Sequence, residues 1–124
     1  MSLLFWKAFW NLMSFDLYLL WGDFARLRNH VRRYPVRAQR ITPESVNQIV
    51  SAVDRASIWY WKQVLCLQRS AATACLLKSH GLRAELVIGS QSLPFKAHAW
   101  VEVEGQVVND KPYVRDIYAV LDRC

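Results

Sequence analysis

The sequence predicts an α+β domain, with helices first and an antiparallel sheet of at least three strands after them. Two observations predict this order. Up to Gly81, apolar residues recur at helical spacing, and from Ala84 onward they form short runs separated by turn residues. With 124 residues, 53% of them hydrophobic and 21% charged, the chain can form one packed core and is too apolar to be disordered. No internal repeat or linker divides it, so we expect a single domain over residues 1–124.

The first segment, residues 2–33, is expected to be helical because it contains no proline, and its one glycine, Gly22, is a candidate bend. Tyr34 precedes Pro35 and should therefore end the helix. Apolar residues cover more than one face, which is typical of a helix that is buried on several sides or shared with a partner.

A transmembrane span is the competing interpretation of residues 2–21. A spanning helix needs about 20 mostly apolar residues, and Lys7, Asn11 and Asp16 interrupt this run. A helix that lies against protein or on a membrane surface fits the pattern better. Peripheral membrane contact therefore stays open as an interpretation.

Two further helices are predicted from their end signals. One begins with Thr42 as N-cap and Pro43 at the first helical position, and continues with an apolar stripe at helical spacing. The other begins at Cys66 and ends before Gly81, the residue type favoured just past a helix C-terminus. Between them, "IWYWKQVL" is open between a loop and an irregular lead into the next helix.

Three strands are expected after these helices. "AELVIGS", residues 84–90, indicates a buried strand, and "QSLPFK" a loop. "AHAWVEV" and "QVVND" indicate two strands joined around Glu104 and Gly105. The resulting hairpin carries one histidine and one aspartate, His98 and Asp110.

The register of this hairpin determines whether His98 and Asp110 meet, because neighbouring side chains on a strand point to opposite faces. A two-residue turn at Glu104 and Gly105 points Asp110 away from His98. A three-residue loop gives the glycine the left-handed position that such loops favour, and then places His98 opposite Asp110, with Cβ atoms about 4.5–5.5 Å apart. The sequence permits both registers. We predict the second, because it alone gives both residues a chemical role.

Cys66 supplies a thiol at the predicted start of a helix. The positive end of the helix dipole and a neighbouring protonated histidine both favour the reactive thiolate. Cys66, His98 and Asp110 are therefore candidates for nucleophile, general base and orienting carboxylate. The competing interpretation of Cys66 is a buried structural cysteine.

The net charge of +6 arises largely from basic residues in segment 26–40. Such a cluster suits nucleic acid, anionic lipid or an acidic peptide, or is simply a solvated face. No zinc-finger, RNA-binding or helix-turn-helix motif accompanies it, so we expect no nucleic-acid partner and no metal. Three cysteines without scaffold spacing and the lack of a signal-peptide pattern indicate free thiols and a cytoplasmic location.

The segment "CLQRSAATACLLKSHGLRAELVIGSQSLPFKAHAWVEVEGQVVND", residues 66–110, closely resembles the transglutaminase-like leader peptidases of lasso-peptide biosynthesis. The matching features are "CLxRS" at a helix start, "LL" before "HGLRAELVIG", then "HAWVE" and "VVND". The order Cys, His, Asp is that of the papain-like and transglutaminase-like superfamily. The resemblance implies a cysteine peptidase that removes the leader from a ribosomally made precursor through a thioester intermediate, without a cofactor. Cys66 would attack the scissile carbonyl, His98 would transfer the proton, and Asp110 would orient His98.

The resemblance also implies further site candidates. The Cys66 backbone N–H would contribute to the oxyanion hole, and Gln63 is a candidate second donor. Arg69 belongs to the shared motif and serves either substrate or packing. Trp100 shares the face of His98 and either walls the cleft or covers the sheet.

The implied partners are the precursor peptide and a separate leader-recognition protein, with the lasso cyclase as a further candidate. The recognition protein is expected because residues 1–65 lack the strand-rich pattern of the leader-binding domain that some family members carry. The lead-in, residues 1–40, is then the expected docking surface, and residues 41–124 the transglutaminase-like core. Two alternatives stay open: transglutaminase-like or N-acyltransferase-like acyl transfer to an amine, and a non-catalytic, membrane-associated interaction module.

Overall fold

A computed structural model of the protein describes residues 3–20, 24–36, 43–60, 64–92 and 95–124. The candidate bend Gly22, the N-cap Thr42 and the candidate donor Gln63 lie outside the described residues. The elements in chain order are α1 (Leu3–Leu20), α2 (Phe24–Arg33), α3 (Pro43–Trp59), α4 (Cys66–Ser79), β1 (Ala84–Ser92), β2 (Phe95–Val103), β3 (Gln106–Val107), α5 (Val114–Ile117) and β4 (Ala119–Arg123). The predicted α+β class is confirmed.

The helices α1, α3 and α4 pack against one another and form most of the core. One face of α1 is buried there, and hydrogen bonds attach the helix to its neighbours. Gln68 Nε2 donates to the Leu12 carbonyl at 2.6 Å, and the Tyr60 hydroxyl donates to Asp16 Oδ2 at 3.0 Å. None of the helices in the described part of the chain has the length and apolar character needed to cross a bilayer.

The second helical segment of the N-terminal region, α2, ends at Arg33, close to the end predicted from Pro35. The described helix α3 runs on to Trp59, so it takes in the first two residues of the stretch that was open between loop and helix.

Both ends of α4 agree with the sequence prediction. The helix begins at Cys66, as predicted. At its other end Gly81 has φ of 93°, which a residue without Cβ adopts readily. The Leu82 N–H bonds the Leu77 carbonyl at 3.1 Å, and the Gly81 N–H bonds the Lys78 carbonyl at 3.0 Å. This left-handed C-terminal motif confirms the predicted end of the helix.

The four strands form one antiparallel sheet in the order β3-β2-β1-β4. The hairpin of β1 and β2 extends from Ala84 paired with Val103 to Ser92 paired with Phe95. The predicted loop "QSLPFK" is therefore wrong at both ends, since β1 continues to Ser92 and β2 begins at Phe95. Strand β4 was not predicted, and it pairs with β1 on the far side of the sheet from β3.

The predicted three-residue loop between β2 and β3 is wrong. Val103 pairs with Gln106, which leaves Glu104 and Gly105 as a two-residue turn. Both have positive φ, 52° and 77°, as in the type I′ turn that matches the twist of the flanking strands. Strand β3 is only two residues long, which allows the chain to depart from strand geometry before Asp110.

Candidate active site

His98 and Asp110 meet despite the register, with His98 Nε2 and Asp110 Oδ2 at 2.5 Å. The side chain of Asn109 explains how. Val108 N–H still bonds the Val101 carbonyl at 3.0 Å, but Val101 N–H donates to Asn109 Oδ1 at 2.8 Å in place of a backbone carbonyl. The ladder is therefore broken at Asn109, and alternation no longer governs which way Asp110 points.

Helix α4 reaches the same edge of β2 through Ser70. The Ser70 hydroxyl donates to the Ala99 carbonyl and accepts from Asn109 Nδ2, both at 3.0 Å. Cys66 is four residues before Ser70, so the two share one face of α4, a turn apart. The start of α4 thus lies beside the stretch of β2 that carries His98, where β3 has already ended.

Cys66 is the partly exposed member of the three cysteines, all of which lie in the described part of the chain as free thiols. Cys75 lies fully buried in the core, and this burial raises the pKa of its thiol to about 12, against the opposing effect of Lys78. Leu65 at the N-cap of α4 gives no side-chain cap to the first-turn N–H groups. In the described chain no hydrogen bond joins Cys66 to His98.

The carboxyl of Asp110 is stabilised as the anion. Burial raises its pKa, but the hydrogen bonds from His98 and from the Lys111 N–H, with the charges of His98 and Arg69, outweigh burial and lower the pKa below its ordinary value. The His98 and Asp110 side chains are only 23% and 20% exposed, so water competes weakly for their bond. An ionised Asp110 can hold the imidazole in one tautomer and stabilise its protonated form.

The weaker candidates have different positions. Arg69 lies in the first turn of α4, acts electrostatically on Asp110, and has an Nη1 atom 3.9 Å from Asp54 Oδ1. Its Nε is buried and has no hydrogen-bond partner among the residues that the structure describes. Trp100 is fully buried and donates from Nε1 to Glu102 Oε2 at 2.8 Å. The full burial of Trp100 favours the interpretation that its ring covers the sheet, and contact with substrate stays a prediction.

Sequence reasoning missed three residues that shape the site: Asn109, Tyr118 and Gly89. The "VVND" motif contains Asn109, but its role depends on a bond to α4 that no local pattern reveals. Tyr118 follows the unpredicted helix α5 and stacks on His98, with ring centroids 5.2 Å apart. Within the described residues no group of three or more His, Cys, Asp or Glu could hold a metal ion.

Comparison with known proteins identifies the family of the chain. Residues 9–123 match the transglutaminase-like superfamily, and the chain belongs to it. The chain is also similar to the Microcin J25-processing protein McjB of Escherichia coli, with 48% identity over 56 residues. That match spans 45% of this chain and 27% of the relative. No solved structure matches the chain significantly. The resemblance inferred from the motif is confirmed at the level of the family.

Proposed function

We propose that this protein is a cysteine peptidase that removes the leader peptide from a lasso-peptide precursor in the cytoplasm. The observation that carries the proposal is the His98–Asp110 pair at the edge of β2, beside the helix that begins with the partly exposed Cys66. Membership of the transglutaminase-like superfamily and similarity to a microcin-processing protein support the reaction and the substrate class.

The proposed mechanism uses the two nitrogens of His98 separately. Nε2 faces Asp110, so Nδ1 is the nitrogen that takes the proton from the Cys66 thiol. The Cys66 sulfur attacks the scissile carbonyl, the C–N bond breaks, and the departing amine receives the proton from His98. Water then attacks the thioester and gives its proton to His98. The leader leaves with a new carboxylate, and the thiol is restored.

The oxyanion of each tetrahedral intermediate needs hydrogen-bond donors. The first turn of α4 offers backbone N–H groups that Leu65 does not cap, among them that of Cys66. The partial positive charge of a helix N-terminus favours a negative oxygen at this position. Gln63 stays a proposed second donor.

The test is cleavage of the candidate precursor, followed by product mass, with wild type and the Cys66→Ala variant. We expect a leader fragment and a core fragment with wild type, and a rate at least roughly 10³-fold lower for the variant. Cys75→Ala is the matched control, because it also removes a thiol but one that is buried away from the site. It should retain cleavage. An intact precursor in the presence of all pathway proteins would exclude the peptidase.

Acyl transfer to an amine is the second outcome that the same experiment distinguishes. The thioester is an intermediate of both reactions. The matching family is the transglutaminase-like superfamily, whose name refers to acyl transfer to an amine. An added primary amine would then appear in the product mass at the leader's new end, in place of hydroxyl. Mass addition that requires Cys66, without hydrolysis when the amine is omitted, would replace the peptidase with a transferase.

The proposed peptidase receives its substrate from a separate leader-recognition protein that docks on α1. Besides its buried face, α1 has an exposed apolar stripe at helical spacing, formed by Leu3, Trp6, Trp10, Leu17 and Leu20. Each of these side chains is more than half exposed. An exposed apolar stripe with two tryptophans is typical of a protein interface.

The double variant Trp6→Ser, Trp10→Ser tests the docking surface. With the recognition protein present, precursor cleavage should fall roughly 10-fold or more, because exposed tryptophans contribute strongly to binding. Cleavage without that protein should stay at the wild-type level. Trp59→Ser, which changes an equally exposed tryptophan on α3, is the control. Equal cleavage by the double variant and wild type would contradict the docking surface.

A further inference from the structure

An aromatic cluster on the sheet face away from α4 surrounds His98. The His98 ring stacks on Tyr118 with centroids 5.2 Å apart and planes 29° apart. It also lies 6.1 Å from the Trp100 ring, and Trp100 lies 6.2 Å from Tyr118. The imidazole is therefore held between an aromatic neighbour over its face and a carboxylate at its edge.

Gly89 provides the space in which this cluster forms. It pairs with His98 on one side and Val120 on the other, next to an irregularity in the β1–β4 pairing. A Cβ at Gly89 would lie 2.8 Å from Trp100 Cη2 and 2.9 Å from Tyr118 Cβ, closer than real Cβ contacts allow. Any side chain at this position would push both rings away from the sheet, and with them the stacking partner of His98.

Hydrogen bonds attach the aromatic cluster to neighbouring elements of the fold. Trp100 Nε1 donates to Glu102 Oε2 at 2.8 Å, and Arg123 Nη1 donates to the other carboxylate oxygen at 3.0 Å. The Tyr118 N–H bonds the carbonyl of the buried residue Val114 at 3.1 Å. The Trp100 ring is thus attached through Glu102 to β4, and the Tyr118 backbone is attached to α5.

We propose that Tyr118 is a positioning residue for His98. The absence of a side chain at Gly89 leaves the space in which the Tyr118 and Trp100 rings pack beside His98. The inference rests on the proposed peptidase function and deepens it. Stacking restricts rotation of the imidazole about its side-chain torsions, which keeps Nε2 on Asp110 and so fixes the direction in which Nδ1 points. The aromatic face also attracts the protonated imidazole that forms during the reaction. A small misplacement of a reacting group costs up to roughly 10²-fold in rate. Loss of the Tyr118 ring is therefore expected to lower kcat.

The test measures kcat and KM for cleavage of one precursor by the Tyr118→Phe and Tyr118→Leu variants. Phenylalanine keeps the ring, and kcat should stay within about twofold of wild type. Leucine removes it, and kcat should fall roughly 10-fold or more with KM unchanged, because the contact is with His98 and not with substrate. Gly89→Ala should reproduce the leucine result. Tyr113→Leu, which changes an exposed tyrosine, should leave kcat unaltered.

A second measurement is independent of the peptidase reaction. The His98 ring-proton resonances, recorded by NMR without substrate, should show one ordered ring in wild type and Tyr118→Phe, and broadened signals in Tyr118→Leu. If wild type does not cleave any precursor, the proposed function fails while this measurement still tests the positioning. Unchanged His98 resonances and unchanged kcat in Tyr118→Leu would overturn the inference. An equal loss of kcat in Tyr118→Phe would also overturn it, since the hydroxyl and not the ring would then matter.

Discussion

The two faces of strand β2 differ in composition and in neighbours. On one face Ala99 and Val101 are buried in the main core with α1, α3 and α4. On the other, His98, Trp100 and Glu102 contact a small cluster formed with Tyr118 and α5. One nine-residue strand thus carries an apolar surface and, at alternate positions, an aromatic and ionisable one.

The difference shows how a small domain separates stability from chemistry. Alternation along a strand makes neighbouring residues independent, because their side chains enter different environments. The helix-side face excludes water and forms part of the main core. The other face holds ionisable groups that burial would penalise without hydrogen-bond partners, and supplies those partners within the strand and from β4. Substitutions on the two faces should therefore affect different measurements.

The largest expected effect comes from His98→Ala on the ionisable face. Without the proton acceptor, precursor cleavage should fall roughly 10³-fold or more. The melting temperature should change little, because His98 lies outside the main core. Cleavage kinetics and thermal unfolding measure the two effects on one preparation. Loss of cooperative unfolding in this variant would mean that the two faces are not separable.

Asp110→Asn should have the next largest effect. Asparagine can keep a hydrogen bond to His98 but provides no charge for the protonated imidazole, and it favours the wrong tautomer, so kcat should fall by about 10²- to 10⁴-fold. Asp116→Asn, an exposed aspartate on α5, is the matched control and should cleave normally. Wild-type kcat in Asp110→Asn would remove Asp110 from the proposed mechanism.

Predictions from local signals succeeded where the cause was itself local. The end of α4 before Gly81 depends on residues within one turn and was confirmed, as was its start at Cys66. The α+β order depends on a change of period that is visible in the sequence. The two-residue turn at Glu104 and Gly105 was one of the two registers that the sequence permits, but not the one predicted.

The failures depended on contacts between distant segments. The register was predicted from the assumption that β3 continues to Asp110, whereas Asn109 leaves the strand to bond Val101 and Ser70. Strand β4 forms by pairing with β1, which is distant in the sequence, and Tyr118 is placed by that pairing. A local pattern predicts which residues suit a site, but the tertiary pairing determines which of them meet.

Val101→Ala tests the apolar face directly. Valine 101 is fully buried, and removing two methyl groups there should lower the free energy of unfolding by about 2 kcal/mol. Denaturant unfolding measures this loss, and kcat per folded molecule should stay at the wild-type value. Val120→Ala, at an exposed position on β4, should change stability by less than roughly 0.5 kcal/mol. A large fall in kcat for Val101→Ala would show that the apolar face also positions His98.

Glu102→Gln should have the smallest effect and addresses the stability of the ionisable face. Burial raises the pKa of Glu102, but the hydrogen bonds from Trp100 and Arg123, with nearby arginine charges, lower it below its ordinary value of 4.5. A carboxyl with a lowered pKa stabilises the fold above pH 4.5, and this contribution is lost as the pH falls through the folded-state pKa.

Glutamine keeps an acceptor for Trp100 but takes up no proton, so the acid-side slope of the unfolding free energy should be shallower by up to about 1.4 kcal/mol per pH unit. Denaturant unfolding between pH 5 and pH 2, roughly the window in which carboxyls titrate, measures the slope, with Glu104→Gln at the exposed turn as the control. Equal slopes for wild type and Glu102→Gln would mean that the ionisable face contributes chemistry alone, which would make the separation between the two faces of β2 complete.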